Sequence, residues 1–138
     1  MPTGRYEYNL DAKSRMNFPP KFREEMGETV YITKWLDGCI AVYGEEKWNE
    51  LNGKLNALPQ IKSRELLRFI YGSAQDVTLD KQGRILLPRY LKEHAEIEKD
   101  IVVIGVGDHA EIWNRRKYDE YENRSKTEID GLLTMLEI

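Results

Sequence analysis

The chain opens in alternation. Tyr6, Tyr8 and Leu10 are apolar and Glu7 and Asn9 between them are polar, the two-residue period of a half-buried strand. Asp11 to Ser14 are polar or small and suit a tight reversal. After Arg15 an apolar run resumes at Met16 to Phe18 and is closed by Pro19 and Pro20. Proline's fixed φ and missing donor fit the first turn of a helix, and Phe22 and Met26, four apart, give that helix one apolar face. Gly27 ends it. Val30 to Thr33 then predict a strand, Asp37-Gly38 a turn, Ile40 to Tyr43 another strand, and Lys47-Trp48 the start of a further helix.

The same order recurs. "LDAKSRMNFP" at 10–19 is answered by "LDKQGRILLP" at 79–88, with Leu, Asp, Arg and Pro all offset by 69 residues. Val77 and Leu79 supply the preceding alternation, Asp80 to Gly83 the reversal, and Ile85 to Leu87 the apolar run. Pro88 opens a short helix with Leu91 and Ala95 on one face. After a short insertion, Ile101 to Ile104 answers Val30 to Thr33, Ala110 to Trp113 answers Ile40 to Tyr43, and Lys117-Tyr118 answers Lys47-Trp48. Each copy reads strand, turn, strand, short helix, strand, turn, strand, helix. A single copy is below the size at which a hydrophobic core usually suffices, so the two are expected to bury their faces against each other as one pseudo-twofold unit with interleaved strands. The expected boundaries are 5–47 for the first repeat, 48–73 for a helical connector, 74–119 for the second repeat and 120–138 for a tail.

The connector carries Trp48, Leu51, Leu55 and Leu58 on one helical stripe. Pro59 interrupts it, and Ile61, Leu66, Leu67, Ile70 and Tyr71 form a second stripe before Gly72. In the tail, Ile129, Leu132, Leu133 and Leu136 predict a final helix that Gly131 weakens, with an apolar face available to another subunit.

Within each reversal, an aspartate can accept the backbone N–H groups the turn leaves free and can pair with the arginine four residues on. Gly83 takes positive φ at no steric cost, whereas Ser14 does not, so the first turn is expected to be shaped slightly differently. A braced guanidinium is a pre-organised donor for phosphate or for the guanine edge.

Charge changes the picture in one respect. The formal net charge is −3, which by itself counts against a nucleic-acid partner. Its distribution is uneven: residues 93–138 hold twelve acids against six bases, while residues 5–23 and 80–92 each carry +3. The two basic stretches are the two that contain the repeated turn.

Other chemistry is sparse. His94 and His109 lack a second histidine at helical spacing, and Cys39 is a lone cysteine that reads as a packed hydrophobe. Gly105 and Gly107 lack the third glycine and receiving helix of a dinucleotide site. No catalytic residue, metal site, cofactor or small-molecule substrate is expected. Without a spanning apolar run or a secretion signal, no membrane role is expected and a cytoplasmic location is the default.

The paired motifs "LDAKSRMNFPPKFRE" and "LDKQGRILLPRYLKEHA", with Glu111-Ile112-Trp113 near the end of the second copy, resemble the MraZ family of tandem SpoVT-AbrB domains over essentially the whole chain. The resemblance implies a mainly β fold with short helices: two AbrB-like swapped-hairpin repeats packed as a pseudo-twofold β-barrel, with amphipathic connecting helices. It implies a nucleoid-associated repressor of the bacterial division and cell wall gene cluster, including its own gene. It further implies self-association into a ring that binds double-stranded promoter DNA at direct repeats. The DNA-binding residues would be Lys13, Arg15, Lys21, Arg23, Lys81 and Arg84, with Asp11 and Asp80 stabilising the turns and Pro19, Pro88 and Gly83 structural. The first copy, with Lys13 where the second has Gln82 nearby, is expected to carry the larger DNA role. The alternatives are an oligomeric protein-interaction scaffold and an antitoxin-like module.

Overall fold

The computed structural model describes all 138 residues. The first repeat gives β1 (Thr3–Asn9), β2 (Arg15–Asn17), α1 (Pro20–Met26), β3 (Thr29–Lys34), a short 3₁₀ turn at Leu36–Gly38, β4 (Ile40–Gly44) and α2 (Glu45–Asn56). After α3 (Gln60–Tyr71), the second gives β5 (Gln75–Thr78), β6 (Arg84–Leu86), α4 (Arg89–His94), β7 (Asp100–Val106), β8 (Ala110–Asn114) and α5 (Arg115–Arg124). A last helix, α6, spans Lys126–Met135. No helix is long and apolar enough to cross a membrane.

The repeats do interleave. One antiparallel sheet has the order β1-β7-β8-β4-β3-β5, which reads the same from either end when the copies are exchanged. β1 of the first repeat lies against β7 of the second, with Tyr6 opposite Val103, and β5 of the second lies against β3 of the first, with Val77 opposite Val30. β4 and β8 meet at the centre, Ala41 opposite Glu111. β2 and β6 form a separate two-stranded ribbon, one strand from each repeat, with Met16 opposite Ile85.

This corrects the expected mainly β, closed pseudo-twofold barrel. The main sheet is open, with β1 and β5 as its free edges, and the six helices hold more residues than the eight strands, so the fold is mixed α/β with two sheets. The cause is local: β2 and β6 are three residues long, and each is followed within two residues by Pro19 or Pro88. Proline has no N–H to offer a ladder, so neither strand can extend toward the sheet edges.

The sheet is covered on both faces. On one, Ile32, Ile40, Val42, Ile101, Val103 and Ile112 pack against Met16 and Ile85 of the ribbon, Phe22 of α1 and Leu91 of α4. Each of these large side chains contributes roughly 1.5–3 kcal/mol on burial. On the other face, Ala41 and Tyr43 meet Trp48 and Leu55 of α2 and Ile70 of α3, while Val102, Ile104 and Trp113 meet Tyr118 and Tyr121 of α5. Burial on both faces explains why β7 reads as an unbroken apolar run instead of alternating. The ribbon with α1 and α4 thus lies on the opposite side of the sheet from the long helices.

Candidate nucleic-acid interface

Each turn that leads into the ribbon is held by its aspartate. Asp11 Oδ1 accepts from the backbone N–H of Lys13 and of Arg15, both at 2.9 Å, and its Oδ2 accepts from Arg15 Nε at 2.7 Å. Asp80 repeats this with Gln82 N–H, Arg84 N–H and Arg84 Nε at 2.9, 2.9 and 2.8 Å. The backbone closes both turns in the same way, with Asp11 N–H donating to Arg15 O and Asp80 N–H to Arg84 O. The N–H of Arg15 and that of Arg84 are the main reason each carboxyl lies below the usual aspartate range, with the guanidinium adding to it.

The expected difference between the turns does not appear. Ser14 adopts φ 62° and Gly83 φ 74°, so the serine accepts the left-handed conformation that glycine takes freely. The hydrogen-bond frame set by Asp11 over-determines the loop and holds Ser14 there.

The ribbon places the arginines. Arg15 lies opposite Leu86 and Asn17 opposite Arg84, while Met16 and Ile85 between them are fully buried. Strand alternation therefore puts Arg15, Asn17, Arg84 and Leu86 on the one outward face. The arginines are diagonal neighbours, about 7–8 Å apart along the backbone. Arg84 Nη1 also comes within 3.7 Å of Asp11 Oδ2, an ion pair between repeats. Nε of Arg15 is engaged, but its terminal amino groups have no protein partner.

Lys13 and Lys81 stand exposed at the two tips with no carboxylate partner. Arg23, a residue of the first repeat, lies over the second turn: the space a Cβ would need at Gly83 is filled by its guanidinium. Its counterpart at the same 69-residue offset, Lys92 of α4, donates from Nζ to Ser14 Oγ at 2.5 Å. Lys21, two residues from Arg23 and so on another side of α1, instead reaches Thr3 Oγ1 at 3.4 Å and joins neither turn. Pro19 and Pro88 cap α1 and α4, their carbonyls accepting the N–H groups of Phe22 and Arg23, and of Leu91 and Lys92. Lys92, Asn17 and Leu86 stand at this surface in addition to the residues expected from the sequence. For Lys92 the signal was present, since it repeats Arg23.

Six cations thus belong to the two turns or contact them, and two of these, Arg15 and Arg84, pair with the aspartates. Cys39 is buried, and burial pushes its thiol well above the ordinary range, which removes the thiolate a nucleophile needs. No cluster of His, Cys, Asp or Glu is arranged to hold a metal. What the duplicated fold presents is two braced guanidinium groups on an exposed ribbon, the arrangement of a binding protein and not of a catalytic centre.

Comparison with known proteins makes the class specific. A family model described as MraZ protein, with the further term antitoxin-like, matches twice, at residues 1–69 and 70–131. The chain is 43% identical over 139 residues to the transcriptional regulator MraZ of Thermoanaerobacter sp. (strain X514), covering 99% of this chain and 97% of that one. It is 49% identical over 129 residues to the MraZ regulator of Clostridium botulinum (strain Alaska E43 / Type E3), covering 92% and 90%. It is 42% identical over 140 residues to that of Acetivibrio thermocellus, covering 98% of each. The chain belongs to the MraZ family and is a transcriptional regulator, not an enzyme.

Proposed function

We propose that the protein is a sequence-specific DNA-binding repressor that assembles into a ring and occupies direct repeats in the promoter of the division and cell wall gene cluster, including its own gene. The observation that carries this is the pair of braced arginines on one outward face of the β2/β6 ribbon. Two strands lie about 4.8 Å apart, so such a ribbon enters a major groove about 12 Å wide. There the free amino groups of Arg15, and the outward edge of the Arg84 guanidinium, meet guanine edges or phosphates, Asn17 offers an amide pair, and Leu86 an apolar contact. Lys13 and Lys81 bind phosphate. α5 packs on the face of the sheet opposite the ribbon and stays clear of the duplex.

Assembly is supported by α6. Ile129, Leu132, Leu133 and Leu136 lie at helical spacing and remain 42–68% exposed, an apolar face with no partner within the chain. Repeated weak tips along a ring engage spaced operator repeats at high effective concentration. The repeats 5–47 and 74–119 act as one DNA-binding body, and occupancy of the promoter places the protein at the nucleoid.

The test is selection of duplexes from a random pool, followed by fluorescence anisotropy on the selected sequence. Arg15→Ala is expected to lose about 1–3 kcal/mol of affinity, with unchanged circular dichroism. A folded Arg15→Ala variant that binds as tightly as the wild type refutes the assignment.

A further inference from the structure

We infer that Lys92 is a DNA-phosphate contact supplied across the repeats, completing the first turn from the second repeat as Arg23 completes the second turn from the first. This rests on the DNA-binding reading above. Lys92 and Arg23 stand at the same offset as Ser14 and Gly83, so the two contacts are one arrangement formed twice. Lys92 Nζ sits on Ser14 Oγ, beside Lys13 and Arg15 in the chain, and the Arg23 guanidinium sits on Gly83, beside Gln82 and Arg84.

A purely structural brace would preserve the hydrogen bond. It is not preserved: Ser14 offers Lys92 a hydroxyl, whereas Gly83 offers Arg23 none. What the two tips share is a positive charge laid against a turn. Both cations also lack a carboxylate partner, although acids are close in sequence. Glu93 is engaged by Arg89 and Glu96 by Lys117, and Lys92 is left unpaired. An ammonium has three donors, and the Ser14 contact takes one. The other two are free for a phosphate oxygen on the strand that the first turn approaches.

The arrangement has a consequence for assembly of the site. Neither repeat holds a complete tip, because each lacks the cation that only the other provides. The DNA surface is therefore a property of the fused pair.

Full-length protein is titrated against the selected duplex and a scrambled duplex over a salt series. Lys92→Met, which keeps the apolar stem, is expected to weaken both duplexes several-fold and alike, and to reduce the slope of log affinity against log salt by about 0.9 per engaged subunit. Lys92→Arg restores the slope. Ser14→Ala removes the hydroxyl but no charge, and leaves the slope at its wild-type value. Lys92→Gln, read beside a thermal melt, serves if the methionine variant folds poorly. Wild-type affinity and slope in both neutral variants overturn the inference, as does an affinity loss at unchanged slope, which marks a brace without phosphate contact. If Lys92→Arg and wild type bind and Arg15→Ala does not, failure of Lys92→Met to change the slope sinks this inference alone. Absence of any duplex binding by the wild type takes down the DNA reading with it.

Discussion

Gly83→Ala tests whether the two turns are conformationally equivalent. Gly83 sits at φ 74°, and a Cβ there meets the end of Arg23. Holding an L-residue in the left-handed region costs about 1–2 kcal/mol. The steric part is small, because the obstacle is the tip of a flexible side chain that can swing outward. The backbone therefore dominates, and the expected destabilisation is about 1–2 kcal/mol. With a urea slope of about 2 kcal/mol per molar, the midpoint falls by roughly 0.5–1 M. Gly107→Ala is the reference, since Gly107 has φ 97° with open space around its Cβ direction. Its cost should match that of Gly83→Ala to within a few tenths. Repeating Gly83→Ala in an Arg23→Ala background isolates the steric part and should recover little. An unshifted midpoint would refute the conformational argument, and a loss above about 4 kcal/mol would show that Arg23 is rigidly wedged rather than mobile.

Three further outcomes are expected. The Asp11 and Asp80 carboxyls, held low chiefly by the N–H of Arg15 and of Arg84, contribute order that is fully present above the ordinary aspartate value of about 3.9 and is lost as pH falls through their lower folded values. Carboxyl chemical shifts should titrate below those of a model peptide, and Asp11→Asn should abolish the first turn's acid transition while leaving the second. Cys39 should react with an aromatic disulfide reagent only on unfolding, since it is fully buried with its thiol pushed up; rapid labelling of native protein contradicts this. Ending the chain at Ser125 removes α6, none of whose residues is buried, so the thermal melt should barely move while the assembly mass drops. An unchanged mass would assign assembly to another face.

Much of the fold is local in origin and was readable along the chain. The duplication, the order of elements within each copy, the helix pair interrupted at Pro59 and the position of both Asp–Arg turns follow from periodicity and turn chemistry. Those signals act over a few residues, and neighbours in sequence carry them. Even the Asp11–Arg15 and Asp80–Arg84 pairs needed no tertiary information, because four residues of a reversal bring the partners together.

Pairing between repeats was a different matter. The same apolar pattern in β2 would serve a hairpin, a barrel or the observed ribbon, since alternation specifies which face is buried and not which strand lies alongside. Only packing of Met16 and Ile85 onto the common core pairs β2 with β6, leaves the main sheet open, and turns Arg15 and Arg84 outward together. Only the tertiary arrangement carries Arg23 and Lys92 across to the opposite turns. The charged residues of the two turns were set by sequence, but their convergence depends on two repeats sharing one interior.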